Sequence, residues 1–267
     1  MFPALLPAFG AESLSPPLTG LILWYKTPLN FDDGHIFVAG ATPDEWPDSS
    51  VSGSDLQARG VTASTPVYRS TGVKLINGRP IVDFTAHPSA GFSDSFQTKA
   101  SIGLPAGYET LTEASVYTVG RVNNDPAPSG TDKKWGLIKA STVVGTTPAF
   151  PFNDGVIYDN TFTTVRKIVG NPTSSLASPF IFGVLSKASS FKARLNGAEM
   201  FSTATNTFTS NMADDQFWIG MSSDSSLDTV VTALDGQIAE VLVYDHFLTA
   251  GEITELETYL NTKFAIF

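Results

Sequence analysis

The sequence predicts an all-β protein in which two antiparallel sheets pack as a sandwich and one short helix closes the chain. Three observations predict this class. Strand-like apolar runs recur along the chain between clusters of Gly, Pro, Asn, Asp and Ser. No helical periodicity precedes the C-terminal region. The 267 residues include 22 Gly and 17 Pro but only 16% charged residues, a composition typical of a loop-rich globular domain.

The predicted strands follow one another with short turns between them and no linker. The first occupies Leu21–Lys26. The others lie at 36–39, 73–76, 80–85, 115–122, 135–140, 156–158, 163–169, 180–185, 191–195, 198–202, 217–221 and 238–244. Two Asn-Gly pairs, at 77–78 and 196–197, each separate two of these runs. An Asn-Gly pair between strands is a strong signal for a tight hairpin, so we expect hairpins at both places.

The closing block of the chain is the best-patterned part of the sequence. Residues 236–245 read as one strand with apolar residues on both faces, as expected for a strand covered on two sides. Thr249 and Glu252 have the spacing of a capping box, in which each side chain satisfies a free backbone N–H at a helix start. Apolar residues at helical spacing follow: Ile253, Leu256, Leu260 and Phe264.

We expect residues 1–19 to form an apolar arm that packs on its own domain or on a neighbour, and residues 20–267 to form a single domain. The arm has no Lys or Arg before its apolar run, and Pro3 and Pro7 interrupt that run. It therefore does not fit a cleaved signal peptide. No stretch reaches the roughly 20 apolar residues of a membrane span, so we expect no membrane insertion.

Charge and cysteine content exclude several function classes. The formal net charge of −10 argues against nucleic acid, because phosphate binding needs a basic surface. The absence of cysteine removes disulfides, thiolate metal sites and a cysteine nucleophile together.

Six sequence blocks occur in one order along the chain: 20–25 (GLILWY), 46–56 (WPDSSVSGSDL), 76–84 (INGRPIVDF), 116–121, 194–197 (RLNG) and the closing block from 236. Together they resemble the concanavalin A-like, laminin-G-like jelly-roll family found in secreted bacterial proteins and phage virion proteins. In the second block, Ser50 and Val51 stand where the family usually has glycine. The resemblance implies a concanavalin A-like jelly roll over about residues 21–264. It also implies a broad range of functions, which includes glycan binding, adhesion, virion assembly and some glycanases.

The residues do not support catalysis. A glycanase needs two carboxylates facing each other, and no predicted strand carries acids at alternating positions. Glu252, Glu255 and Glu257 fall on the predicted helix, where a cap and a solvated face explain them. Glu240 lies inside the closing strand, and its apolar neighbours favour a structural role. We expect no enzyme.

We expect no cofactor, and we assign no metal site. The three histidines, His35, His87 and His246, lie far apart in the sequence, so zinc is not expected. The resemblance leaves calcium open, because laminin-G-like domains often bind it at the rim of the sandwich. The candidate ligands are the loop acids Asp32, Asp33, Asp154, Asp224, Asp228 and Asp235. Such residues are more typical of turns than of ligand sets.

Four tryptophans complete the candidate residues. Trp24 and Trp218 fall inside apolar strands, and we expect them in the core. Trp46 and Trp135 border turns, and we name them as candidate glycan contacts by stacking on a sugar ring. Packing beneath a loop is the alternative interpretation for both.

These observations lead to one expectation and one alternative. We expect a non-catalytic structural or binding protein on a virion surface, such as a bacteriophage capsid decoration protein or a fibre or spike component. Its partners would be other virion proteins or further copies of itself, and cell-surface glycans are a second kind of partner. The alternative is a secreted, extracellular bacterial carbohydrate-binding or adhesion module.

Overall fold

Fifteen strands, a 3₁₀ turn and one α-helix make up the described part of the chain. The computed structural model describes residues 15–37, 45–59, 66–84, 95–99, 101–126, 137–141, 148–212, 217–220 and 234–267. The strands are β1 Leu21–Lys26, β2 Glu45–Trp46, β3 Leu56–Arg59, β4 Val67–Arg69, β5 Ile81–Phe84, β6 Ser95–Thr98, β7 Glu113–Val122, β8 Ile138–Lys139, β9 Ile157–Asp159, β10 Lys167–Gly170, β11 Phe180–Lys187, β12 Ser190–Leu195, β13 Ala198–Thr203, β14 Trp218–Ile219 and β15 Gly236–Tyr244. The 3₁₀ turn spans Tyr108–Thr110, and helix α1 spans Ala250–Phe264.

Two antiparallel sheets and one separate hairpin contain these strands. The eight-stranded sheet has the order β13-β12-β11-β7-β15-β5-β4, and β1 pairs with the part of β15 that β5 does not reach. The five-stranded sheet has the order β2-β3-β6-β14-β8, and β9 pairs with β10 as a hairpin of its own. The predicted fold, a two-sheet antiparallel jelly-roll sandwich with a C-terminal helix, is confirmed.

Strand β15 contributes side chains to two different cores, and every residue in it is buried. Its inward side chains join the core between the sheets: Ile238, Val241 and Val243. Its outward side chains join a second core beneath α1: Ala239, Leu242 and Tyr244. The register against β7 shifts between Ile238 and Glu240, which marks a bulge. The extra residue places Glu240 on the helix side next to Ala239.

Helix α1 begins as its sequence predicts. The Thr249 hydroxyl accepts a bond from the Glu252 backbone N–H, and the Glu252 carboxylate accepts one from the Thr249 backbone N–H, which confirms the capping box. The helix buries one apolar stripe against the outer face of the large sheet: Leu256, Tyr259, Leu260 and Phe264.

Two buried carboxylates join α1 to the sheet in opposite directions. Glu240 of the sheet accepts bonds from Tyr259 Oη at 2.8 Å and Lys263 Nζ at 2.7 Å on the helix. It also accepts one from Trp24 Nε1 at 2.6 Å. Glu257 of the helix accepts two bonds from the Arg194 guanidinium of β12, at 2.6 and 2.9 Å. The structural role expected for Glu240 therefore has a physical basis, because each buried charge has a cation and further donors.

Both Asn-Gly pairs form tight turns, but only one of them joins two strands. Asn196 and Gly197 have φ of 49° and 80° and connect β12 to β13, as predicted. Asn77 and Gly78 have φ of 47° and 78° and are closed by an Ile76–Arg79 bridge. Residues 73–76 form a turn and a single bridge rather than the predicted strand, and the Asn77 side chain donates to the carbonyl oxygens of Phe264 and Ala265 at the end of α1.

The sequence did not predict four short strands of the region 45–98, which are β2, β3, β4 and β6. They are two to four residues long, which is too short to show an alternating pattern. The predicted strand at 163–169 reduces to β10 and a Thr163–Phe208 bridge. The predicted strand at 36–39 retains one Ile36–Val67 bridge among the residues that the structure describes.

One aspartate organises the turn between β2 and β3. The Asp48 carboxylate accepts bonds from the backbone N–H groups of Trp24, Ser50 and Ser54 and from the hydroxyls of Ser50 and Ser52. This hub connects β1 of the large sheet to the turn.

Residues 1–14, which make up most of the predicted arm, lie outside the described residues. Near the C-terminal end of the arm, the Pro17 carbonyl oxygen accepts a hydrogen bond from the Tyr244 hydroxyl at 3.1 Å. Within the described ranges, α1 does not have the length and apolar character needed to cross a membrane.

We predict that Glu240→Ala lowers the free energy of unfolding by about 3–5 kcal/mol, because it leaves Tyr259 and Trp24 buried without their acceptor and removes the ion-pair partner of the half-buried Lys263. Urea unfolding followed by circular dichroism measures the effect. Glu255→Ala, at an exposed position of the same helix, is the matched control and should change stability by no more than about 0.5 kcal/mol. Equal effects of the two variants would contradict the bracing role of Glu240.

Candidate functional site

A cleft opens between the two sheets beside β8, where the five-stranded sheet ends. Its floor is the inward face of β7 and β11, and its walls are β8 and the segment 148–161. The empty space is about 350 Å³ with the solvent at its mouth included. The lining is mainly apolar and consists of Val116, Thr118, Leu137, Ile138, Pro148, Phe150, Tyr158, Asp159, Thr161, Phe182 and Val184. An apolar cleft with a few convergent polar groups is the usual form of a small-ligand site.

Asp159 is the charged group in this lining. Its side chain is 8% exposed, and its two carboxylate oxygens accept bonds from the Thr161 backbone N–H at 2.8 Å and the Thr161 hydroxyl at 3.2 Å. No lysine, arginine or histidine of the described chain lies within ion-pair distance of it. Burial raises the pKa of Asp159 from 3.8 to about 6, although the two Thr161 bonds oppose the shift. A buried carboxylate with a raised pKa in a cleft is a candidate ligand contact.

Tyr158 connects the cleft to a partly exposed aromatic surface on the β9–β10 hairpin and the turn before it. Its ring meets the Phe152 ring edge to face at 5.8 Å, and the Arg166 guanidinium lies 4.7 Å from its centre. Ile168, directly opposite Tyr158 across the hairpin, is 63% exposed. We call this set (Phe152, Tyr158, Arg166 and Ile168) the hairpin face. It places an apolar surface with a polar border beside the mouth of the cleft.

Two further polar groups border the hairpin face. The exposed Asp154 accepts bonds from the Tyr158 hydroxyl at 3.0 Å and from the Val156 backbone N–H at 2.8 Å. The bond to Asp154 raises the pKa of the Tyr158 phenol, so the hydroxyl stays protonated at neutral pH. Asn171 donates to the Asp154 carbonyl oxygen. Tyr158 is therefore held in a defined orientation.

The structure places Trp46 in the core, which contradicts its selection as a glycan contact. Its side chain is 0% exposed, its ring packs on Tyr25 and Phe96, and its Nε1 donates to the Lys26 carbonyl oxygen. No ring surface remains for a sugar, and the alternative interpretation, packing beneath a turn, describes its position. Trp135 lies outside the described residues. Trp24 and Trp218 are buried as predicted.

The loop acids do not form a metal site within the described ranges. No group of three or more His, Asp or Glu side chains is arranged there to hold a metal ion. Asp33 binds Ser70 and Thr71, Asp154 binds Tyr158, and Asp235 binds Asn123 and Asn124. Asp224 and Asp228 lie outside the described residues, so calcium binding there stays untested.

A row of cross-strand neighbours crosses the five-stranded sheet. The registers align Glu45, Gln57, Gln97, Trp218 and Lys139, one from each strand. Such rows of amide, charged and aromatic side chains suit a binding face. Trp218, however, is 1% exposed, and the Lys139 ammonium group lies 5.3 Å from its ring centre. Since the row presents no exposed ring, the cleft and the hairpin face remain the better candidate.

Comparison with known proteins shows the fold. No protein-family model and no curated protein matches the sequence. Domain 4 of AbnA, a GH43 extracellular arabinanase from Geobacillus stearothermophilus solved with arabinotriose, is similar with a TM-score of 0.52 at 16% identity, over 89% of this chain and 98% of that domain. The receptor-binding domain of botulinum neurotoxin mosaic serotype C/D is similar with a TM-score of 0.56 at 13% identity, over 91% of this chain and 51% of that one.

A third similar structure is the sialidase of Trypanosoma rangeli, with a TM-score of 0.51 at 13% identity, over 98% of this chain and 36% of that one. At such identities the likeness establishes a shared fold and no more. The chain thus spans only part of the toxin domain and of the sialidase, but nearly all of the arabinanase domain.

Sequence reasoning missed the residues of the cleft. Tyr158 was only the end of a predicted strand, and Asp159 belonged to no motif. One local signal was present in the run Ile157-Tyr158-Asp159. In a strand, Asp159 lies on the same face as the apolar Ile157, and an acid on a buried face is unusual. The partners of these residues on β7, β8 and β11 come from distant parts of the chain.

We predict that the Asp159 carboxyl makes stability depend on pH. Its folded pKa of about 6 exceeds the ordinary 3.8, so the folded state holds the proton more tightly than the unfolded state. The contribution of Asp159 to the free energy of unfolding is fully present below about pH 4 and is lost as the pH rises through 6. Between these limits we expect the free energy of unfolding to fall by about 3 kcal/mol.

Asp159→Asn should remove this dependence and raise the stability at pH 7.5, because a neutral amide oxygen still accepts a Thr161 bond. Urea unfolding of both proteins from pH 4 to 7.5 gives the comparison, with the exposed Glu255→Gln as control. A difference between Asp159→Asn and the parent protein that does not change with pH would show that Asp159 is not desolvated.

Proposed function

We propose that this chain is a non-catalytic glycan-binding module, and that the hairpin face and the adjoining cleft form its site. One observation carries the proposal, namely that the partly exposed ring of Tyr158 belongs to the hairpin face and also lines a cleft that contains the buried Asp159. Sugars present apolar C–H faces ringed by hydroxyl groups. A flat aromatic surface beside hydrogen-bonding groups is complementary to that pattern.

The geometry of the hairpin face supports ring stacking. Phe152 and Ile168 extend the apolar surface around Tyr158, and the bond from Tyr158 to Asp154 fixes the ring. A fixed ring loses little conformational entropy on binding. The exposed Arg166 guanidinium lies 4.7 Å from the Tyr158 ring centre, so a sugar that stacks on this ring displaces it towards the border, where it and Asn171 supply donors to sugar hydroxyl groups.

Among the solved structures with a similar fold, domain 4 of AbnA supports a glycan ligand in particular. That domain was solved in complex with arabinotriose, and this chain covers 98% of it. The receptor-binding domain of botulinum neurotoxin mosaic serotype C/D and the binding domain of Paraclostridial Mosquitocidal Protein 1 support the broader class of a binding module.

The site supports binding rather than hydrolysis. Glycoside hydrolysis by the common mechanisms requires two carboxylates on opposite sides of the scissile bond. Asp159 is the only acid among the described residues that line the cleft. We therefore propose no enzymatic activity.

For the biological setting, we propose the surface of a virion, as a bacteriophage capsid decoration protein or a fibre or spike component. The sequence resemblance to jelly-roll domains of virion proteins supports this setting, and the acidic charge of −10 suits a protein that stays off nucleic acid. The secreted bacterial module is the second candidate, favoured by the similarity to a domain of an extracellular arabinanase.

We predict that Tyr158→Ala lowers glycan affinity by roughly tenfold or more, because it removes the central ring of the hairpin face, while the fold persists. Isothermal titration against the glycan that a glycan-array screen ranks highest measures the loss. Phe267→Ala removes another exposed ring, one that lies beside Gly197 away from the cleft, and should leave affinity unchanged. Full binding by Tyr158→Ala would show that the site lies elsewhere.

We predict that the protein saturates intact phage particles at a fixed number of copies per particle. Pelleting of particles with added fluorescent protein gives the stoichiometry, and Tyr158→Ala should attach equally well if attachment and glycan binding use different surfaces. A protein that binds glycans but ignores particles would favour the secreted module.

A further inference from the structure

The cleft is largely enclosed by the residues that line it and opens beside the hairpin face. A ligand whose ring rests on the hairpin face can insert one short substituent beside Tyr158, and the lining decides which substituent is accepted.

The floor and walls of the cleft favour an apolar end on that substituent. Val116 and Val184 form the floor, and Ile138, Phe150 and Phe182 surround them. These side chains belong to the buried core between the sheets, so they are held by packing on every other side. A hydroxyl group at this end would lose its hydrogen bonds to water without replacement, whereas a methyl group would lose none.

The polar groups of the cleft favour a donor on the same substituent. Each Asp159 oxygen accepts one bond from Thr161 and has a second lone pair, and no cation of the described chain neutralises the carboxylate. A buried, ionised acceptor gains most from an N–H or O–H donor, because bonds to charged groups are the stronger ones. The Thr118 side chain, 2% exposed, lines the floor nearby and brings a hydroxyl donor.

We propose that the cleft binds the acetamido group of an N-acetylated sugar. This inference rests on the proposed glycan-binding function and specifies the ligand class of the same site. The acetamide N–H donates to the Asp159 carboxylate, the acetamide carbonyl oxygen accepts from the Thr118 hydroxyl, and the methyl group packs among Val116, Ile138 and Val184. The sugar ring rests on Tyr158.

Three matched pairs of sugars separate this ligand class from its neighbours. N-acetylglucosamine and N-acetylgalactosamine carry the group, glucosamine and galactosamine carry an ammonium instead, and glucose and galactose carry a hydroxyl. Affinities come from chemical-shift titration of the full chain at pH 7.5. Saturation transfer from protein to sugar then shows which ligand protons lie closest to the protein. We expect the acetylated sugars to bind at least tenfold more tightly than both relatives, with the strongest transfer to the acetamido methyl protons.

Two variants test the two halves of the acetamide contact. Asp159→Asn should reduce the preference for the acetylated sugars to less than threefold, because the charged acceptor is gone. Val184→Ile should reduce it similarly, because the added methyl group occupies the cleft while Asp159 remains. Thermal unfolding checks that each variant is folded, and Asp159→Asn alone tests the inference if Val184→Ile is not. Tyr158→Ala should weaken all the sugars together.

The outcomes distinguish this inference from the proposed function. Equal binding of acetylated and plain sugars that Tyr158→Ala abolishes overturns the acetamide inference and leaves glycan binding intact. A preference for the ammonium sugars overturns it too, in favour of a cation on Asp159. If the acetylated sugars do not bind while a glycan array finds other ligands, the inference fails alone. If no glycan binds at all, both fail.

Discussion

The burial of β15 on both faces is the constraint on which the rest of the structure depends. This strand pairs with β7 along its length and with β1 and β5 on its other side, so its backbone groups bond within the sheet. Its two polar side chains are paired as well. Gln237 accepts from Arg121 and donates to Asp83, and Glu240 binds Lys263 and Tyr259 of α1. The two cores are therefore joined through one strand.

The unequal widths of the two sheets create the candidate site. The large sheet continues through β11, β12 and β13, whereas the small sheet ends at β8. The hairpin β9–β10 and the segment before it cover the uncovered part of the large sheet only partly, and the cleft is the gap that remains. The floor belongs to β7, which pairs with β15, and to β11, which pairs with β7, so the ladder of the large sheet supports its shape.

The sequence predicted the long elements well because a long segment shows the period of its apolar residues more clearly than a short apolar run does. Strands β7, β11, β12, β13 and β15 and helix α1 lie close to their predicted positions, and the capping box of Thr249 and Glu252 formed as its spacing indicated. The short strands between 45 and 98 were missed. They are strands because neighbouring strands supply their partners, and a two-residue segment carries no periodicity of its own. The prediction for Trp46 was wrong for a related reason. Its position next to a turn suggested exposure, whereas Tyr25 and Phe96, which are distant in sequence, enclose its ring in the core.

The sequence by itself determined the fold class, the order of the long strands, the C-terminal helix with its cap, and the structural character of Glu240. These features depend on local periodicity and on spacing along the chain. Only the tertiary structure decided that Tyr158 and Asp159 meet Val116, Ile138 and Phe182 around one cleft. Those contacts join residues from separate strands. Their distances, and the desolvation that raises the pKa of Asp159, arise when the two sheets stack with different widths.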